Sequence, residues 1–132
     1  MPRAHTSPSL PIRLIPLLLW AAALAYLSLA PSVRAPSGLL GWDKLNHFAA
    51  YAVLAALLLF TLAARVTLGG RMLLVAWFTA FGYGLLLEAL QGAMAVGRRW
   101  ELFDLSANGL GALTACLLCV LLRHVMKLPS HS

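Results

Sequence analysis

Charged residues are scarce in this sequence. Only 11% of its 132 residues are Asp, Glu, Lys or Arg, whereas a soluble domain of this size carries about 25%. Hydrophobic residues make up 61% of the chain, and so short a soluble chain has few core positions in which to bury them. This composition excludes an ordinary soluble domain and predicts one compact membrane domain surrounded by lipid.

Motifs of well-known chemistries are also missing. The sequence has no HExxH, no nucleophile elbow and no phosphate-binding loop. Its two cysteines, Cys116 and Cys119, lie in an apolar run without a second ligand pair, so we interpret them as packing residues. The net charge of +6 comes from basic residues at the ends of apolar runs. That placement is typical of membrane flanks and does not indicate a nucleic-acid partner.

Four long apolar stretches remain, each close to the ~20 residues with which a helix crosses a bilayer. Backbone groups in lipid must bond within their own segment, so we predict helices. Short links favour an all-α membrane protein with four transmembrane helices in an antiparallel up-down bundle, packed in sequential order. The predicted helices cover about 12–30, 44–64, 71–91 and 104–123 within one membrane domain, 12–123. Residues 1–11 are predicted to be a disordered cytoplasmic arm, and 124–132 a cytoplasmic tail.

The first stretch also resembles a secretory signal, because Arg3 and Arg13 precede its apolar run. Small-residue cleavage points end at Ala30 and Ala35, but each is followed by proline, and the run is longer than a usual signal core. A retained helix is therefore expected.

Lys and Arg predict the orientation, because cytoplasmic loops carry an excess of them. Six of the ten fall on the side of the termini and four on the other side. Both termini are therefore expected in the cytoplasm. The six are Arg3, Arg13, Arg65, Arg71, Arg123 and Lys127. The other four are Arg34, Lys44, Arg98 and Arg99.

The carboxylates fall at one end of the predicted helices, on the outer side. They are Asp43, Glu88, Glu101 and Asp104. Carboxylates in or beside lipid are costly and usually have a function. Their clustering predicts a polar site at the outer leaflet.

Helical spacing places further polar groups beside these acids. Asp43, His47 and Tyr51 recur at i, i+4 and i+8 and share one face of the second helix, with Lys44 beside them. The third helix presents Glu88 and Gln91 at i and i+3. The fourth presents a similar pair and small residues that permit close helix packing: Asp104 with Asn108, and Ala107 with Gly111.

Several of these residues have a structural interpretation. Asp43 and Asp104 are candidates for helix N-caps, Lys44 for snorkelling to the interface, and Tyr51 for an aromatic belt. Glu88 needs a cation, a proton or a ligand, because an unpaired carboxylate within an apolar run costs several kcal/mol. Candidate cations are Lys44, Arg98 and Arg99. The whole set could simply hold helices together.

The functional interpretation uses the same groups. Arg98 and Lys44 can bind phosphate or carboxylate. His47 with Glu88 or Asp104 could transfer protons, which makes these three the catalytic candidates. The same groups could hold a divalent cation that bridges a diphosphate, but no spacing requires it, so no metal ligands or cofactor are assigned.

Three blocks of sequence carry a family resemblance. DKLNHFAAY from Asp43 fits DK-x-x-H-x-x-x-Y, EALQ from Glu88 fits E-x-x-Q, and GRRWELFDLSANGLG from Gly97 fits GR-x(5)-D-x(3)-N-x-x-G. In these patterns and in their order, the chain resembles VanZ-like membrane proteins over roughly residues 42–112. Glu101 stands where that family frequently has aspartate.

The resemblance implies a small multi-pass protein of the bacterial cytoplasmic membrane, in a family whose founding member is associated with teicoplanin resistance. We expect an outer-leaflet pocket that binds an anionic lipid headgroup or a lipid-linked cell-envelope intermediate. The alternatives are a lipid-headgroup hydrolase or transferase using His47 and Glu88, and a structural or partner-binding subunit. The predicted ligand-binding residues are Asp43, Lys44, His47, Tyr51, Glu88, Gln91, Arg98, Asp104 and Asn108.

Overall fold

The computed structural model confirms the predicted class: the residues that it describes form a bundle of four membrane-length helices. It describes residues 9–30, 42–67, 69–94 and 101–127. The helices are α1 Leu10–Leu29, α2 Trp42–Leu62, α3 Gly70–Met94 and α4 Leu102–Lys127. Each is long and apolar enough to cross a membrane.

The helix ends differ in detail from the predicted ones. α1 already begins at Leu10, with Pro11 in its first turn, where the missing N–H of proline needs no partner. The part of the predicted arm before Ser9 and the tail beyond Lys127 lie outside the described residues. Asp43 and Asp104 lie inside the first turns of α2 and α4, so the prediction that they are N-caps was wrong. Carboxylates in a first turn interact favourably with the partial positive charge of the helix N-terminus.

The closest helix pair is α2 with α4, which the expected sequential order did not anticipate. Sequential neighbours do touch, but α2 and α4 share the most extensive contact. Small residues permit this approach: Ala55 and Ala112 are fully buried, and Gly111 lies directly against the Phe48 carbonyl group. α1 packs on α2 and α3 and, among the described residues, does not touch α4.

Much of the outer surface is apolar. Large side chains such as Leu18, Phe78 and Leu122 are about 60% exposed, at 63%, 62% and 60%. Soluble monomers rarely show such continuous apolar surface. It fits four membrane-spanning helices whose outward faces contact lipid.

Arg13 joins α1 to α2 at the end of the bundle opposite the acids. Its guanidinium donates a hydrogen bond of 2.8 Å to the carbonyl oxygen of Phe60 and lies 4.6 Å from the centre of the Phe60 ring. Thr61 donates back to the Arg13 carbonyl oxygen at 3.1 Å. The carbonyl groups at the C-terminus of a helix lack intrahelical donors, so this arginine, which is only 8% exposed, caps α2.

We expect Arg13→Ala to destabilise the protein by about 2 kcal/mol, because it removes a charged hydrogen bond and a cation–π contact. Arg13→Lys should have a smaller effect, since the charge stays but the planar group is lost. The midpoint of thermal unfolding in detergent measures both. Arg71→Ala, which removes an exposed arginine at the start of α3, is the control. An equal shift in Arg13→Ala and Arg71→Ala would contradict the capping role.

Candidate functional site

The polar residues gather at one end of the bundle, which we call the polar end. It consists of the last turns of α1 and α3 and the first turns of α2 and α4. Lys44 of α2 forms a salt bridge with Asp104 of α4. Gln91 of α3 donates a hydrogen bond of 2.8 Å to the carbonyl oxygen of Ser28 in α1. The up-down order of the helices therefore brings all four to one polar level.

Lys44 lies at the centre of an acidic group. Its ammonium nitrogen is 2.5 Å from Glu101 Oε2, in contact with Asp104 Oδ1, and 3.8 Å from Asp43 Oδ2. The Asp104 side chain is only 10% exposed, whereas those of Asp43 and Glu101 are about half exposed, at 49% and 50%. These charged side chains therefore extend from the protein surface to the start of the α2–α4 contact.

Glu101 shows the electrostatic effect of this arrangement. Its hydrogen bond from Lys44, reinforced by the charge of Lys44, holds the pKa of Glu101 below its ordinary value of 4.5. Three carboxylates nevertheless share one ammonium group. Taken together these four side chains carry three negative charges and one positive, which leaves an excess of two negative charges.

His47 is held between α2 and α4. Its Nδ1 is 2.9 Å from Asn108 Oδ1, and its Nε2 is 3.8 Å from Asp104 Oδ2. Asn108 is fully buried, and its Nδ2 has no hydrogen-bond partner among the described residues. Since a carbonyl oxygen only accepts, the contact with Asn108 requires a proton on Nδ1. Nε2 lies toward Asp104, and in the neutral ring it carries the lone pair. We call the residues of this site the polar cluster: Asp43, Lys44, His47, Glu101, Asp104 and Asn108.

Tyr51 and Glu88 lie deeper, next to the polar cluster. Tyr51 is 3% exposed and Glu88 is 2% exposed. A Cβ atom placed on Gly84 would come within 2.8 Å of Asn108 Nδ2 and 2.9 Å of the Tyr51 ring, so glycine lets α3 approach both side chains. The Glu88 carboxylate is close enough to Tyr51 to act on its phenol group electrostatically. Because Tyr51 is buried in the helix core, the aromatic-belt interpretation was wrong.

The structure thus separates the predicted site residues into groups. Five of them meet in the polar cluster: Asp43, Lys44, His47, Asp104 and Asn108. Tyr51 and Glu88 lie behind them, and Gln91 bonds to α1. Arg98 lies outside the described residues.

Sequence reasoning counted Glu101 among the clustered carboxylates but did not assign it to the ligand-binding residues. The available signal was its position three residues before Asp104, which places both acids near the start of α4.

No family model, no curated protein and no solved structure matches this chain. Membership of the VanZ-like family therefore stays a prediction from the three sequence blocks.

Proposed function

We propose that this chain is a VanZ-like membrane protein whose polar cluster binds the phosphate-bearing headgroup of an anionic lipid or a lipid-linked cell-envelope intermediate. The observation that carries the proposal is the convergence of Lys44, His47 and Asp104 in the first two turns of two membrane-length helices. Helix ends of this kind lie at the depth of lipid headgroups. The Lys44 side chain is 36% exposed there, so an incoming group can reach it.

The distribution of Lys and Arg supports placing this end at the outer leaflet of the bacterial cytoplasmic membrane, with both termini in the cytoplasm. In that orientation the cluster meets lipids on the side where lipid-linked envelope precursors are used. Arg98, which belongs to the same predicted outer side, would add a second cation for a phosphate.

The charge balance of the polar cluster sets a condition on the ligand. Lys44 already contacts Glu101 and Asp104, so a phosphate must compete with two carboxylates for the ammonium group. A headgroup that also carries an ammonium, or a phosphate accompanied by a divalent cation, would satisfy the remaining carboxylates. A bare anion would be repelled by the excess negative charge.

We expect the purified protein, extracted under mild conditions, to retain phosphate-bearing lipid in native mass spectrometry. Lys44→Ala and Arg98→Ala should each lower the bound fraction at least several-fold, since each removes a charged contact to phosphate. Arg71→Ala, which removes an exposed arginine at the other end of the bundle, should leave it unchanged. Phosphatidylethanolamine, whose headgroup carries an ammonium, and phosphatidylglycerol together with a divalent cation are the probes for rebinding.

Equal lipid retention in the wild type, Lys44→Ala and Arg98→Ala would contradict the proposal. The polar cluster would then be a structural connection between helices. In that case Asp104→Ala and Glu88→Ala would lower thermal stability in detergent and change nothing else.

The orientation of His47 favours an enzymatic alternative, a lipid-headgroup hydrolase or transferase. Asn108 holds one ring nitrogen and the other faces Asp104, an arrangement that suits proton transfer. In this alternative His47 works with Asp104 as well as with the predicted Glu88. Turnover of labelled lipid in proteoliposomes decides it: His47→Ala should keep lipid binding and lose turnover, and undiminished turnover would exclude the role.

A further inference from the structure

We propose that Asp43, His47 and Asp104 form a binding site for a divalent metal ion at the start of α2 and α4. One ligand atom from each of the three residues lies within 4.8 Å of the others. Two ligand atoms that share a metal ion at about 2.1 Å are roughly 3–4 Å apart. His47 Nε2 and Asp104 Oδ2 are already at such a distance, 3.8 Å. The Asp43 side chain is 49% exposed, so rotation of this side chain can bring its carboxylate to the same ion.

The orientation of His47 is the first argument for a metal ion. In the neutral ring the proton lies on Nδ1 and is donated to Asn108, so the lone pair of Nε2 faces a carboxylate oxygen. Two electron-pair donors face each other at 3.8 Å, too far for a hydrogen bond, and a cation between them would bind both. Histidine ligands of metals regularly donate their other ring N–H to a carbonyl or carboxylate group. The buried amide of Asn108 provides that second contact.

The charge of the polar cluster is the second argument. Asp43, Glu101 and Asp104 contribute three negative charges against the one positive charge of Lys44. The remaining two negative charges equal the charge of one divalent cation. Asp104 is largely buried, and the repulsion between nearby carboxylates grows as water is excluded.

Lys44 and a metal ion can be present together, because they use different atoms of Asp104. Oδ1 contacts the Lys44 ammonium, whereas Oδ2 faces His47. The two cations still repel each other, so Lys44 weakens the site that it borders. One imidazole and two carboxylates suit Zn²⁺ or Mn²⁺, because imidazole favours the former and carboxylates the latter.

Metal binding is measured on the full-length protein in detergent after treatment with a chelator. Isothermal titration with Zn²⁺, repeated with Mn²⁺, should show one ion bound per chain. His47→Ala and Asp104→Asn should each weaken binding at least about tenfold, because each removes a ligand. His124→Ala, which removes an exposed histidine near the far end of α4, should bind as the wild type does. The visible spectrum of bound Co²⁺ should change in His47→Ala and not in His124→Ala.

Lys44→Met separates this proposal from the lipid-binding one. The Lys44→Met variant should bind the metal ion at least as tightly as the wild type does, because a repelling positive charge is removed. Its lipid binding should decrease, because the contact to phosphate is lost. The site is overturned if the wild type does not bind one ion, or if His47→Ala and Asp104→Asn retain its affinity while their thermal midpoints show that they are folded. If His47→Ala does not fold, the test of the metal site rests on Asp104→Asn, which keeps the shape of the side chain. The metal titration and the lipid measurement can fail separately, because Zn²⁺ and Mn²⁺ are titrated without added lipid.

Discussion

Gly111→Ala is expected to lower the stability of the folded protein more than any other single methyl addition at a described glycine. The new Cβ atom would lie 2.0 Å from the carbonyl oxygen of Phe48 and 3.0 Å from its Cα. These are backbone atoms of α2, so no side-chain rotation can relieve the collision, and α2 and α4 must separate. Overpacking that moves a backbone costs up to about 3 kcal/mol, and occasionally more. Thermal unfolding in detergent should show a large decrease in the midpoint or a loss of folded protein.

Gly82→Ala is the matched control, because a Cβ there meets nothing within 4 Å. Its stability should stay within about 0.5 kcal/mol of the wild type. Gly84→Ala should fall between the two, since its closest contacts are the side chains of Asn108 and Tyr51, which can move. If Gly111→Ala proved as stable as Gly82→Ala, α2 and α4 would not be in the close contact described above.

Lys44→Met is the second change with a large expected effect. The substitution keeps most of the apolar stem but leaves the carboxylates of Asp43, Glu101 and Asp104 without their shared cation. Exposed ion pairs are worth about 0–1 kcal/mol and breaking a buried pair costs roughly 3–5 kcal/mol. With Asp104 only 10% exposed and Lys44 36% exposed, we expect an intermediate loss of about 2 kcal/mol. Arg71→Met, at an exposed arginine, should change the unfolding midpoint little.

The effect of Lys44→Met should depend on pH. Lys44 lowers the pKa of Glu101 from its ordinary 4.5, so this pair stabilises the wild type above that pH. Its contribution is lost as the pH falls through the lower pKa of the folded state. The difference in unfolding midpoint between wild type and variant should therefore narrow in acid. A difference that is the same at neutral pH and well below pH 4.5 would show that Lys44 does not act through Glu101.

The polar cluster has a structural role and a proposed ligand-binding role, which the proposed experiments separate. Its salt bridge and its His47–Asn108 contact join α2 to α4, a structural task that affects stability. Its excess negative charge and the lone pair of His47 are not needed for that connection. We therefore expect His47→Ala to weaken metal binding strongly and to lower stability less than Lys44→Met does, because the Lys44 contacts remain.

Several features of the site follow from helical spacing in the sequence. The spacing of Asp43, His47 and Tyr51 predicts one face of a helix, and in the structure Asp43 and His47 belong to one cluster while Tyr51 is buried behind it. Spacing did not reveal that Glu101 shares Lys44 with Asp104. Several acids were compatible with Lys44, and only the position of α4 against α2 selects among them.

The sequence by itself determined the number, the type and the approximate extent of the helices. Lipid permits only segments that satisfy their own backbone hydrogen bonds, so four apolar runs of membrane length had to become four helices. The up-down order then placed the polar residues at one end, whichever helices touch.

Only the tertiary structure decided that α2 and α4 form the closest pair and that their first two turns build the site. Helical periodicity specifies which residues share a face but not which other helix that face meets. The packing of α2 against α4 depends on the shape of their surfaces, because the glycine at position 111 allows α4 to lie against the backbone of Phe48. That contact brings Asn108 to His47 and Asp104 to Lys44.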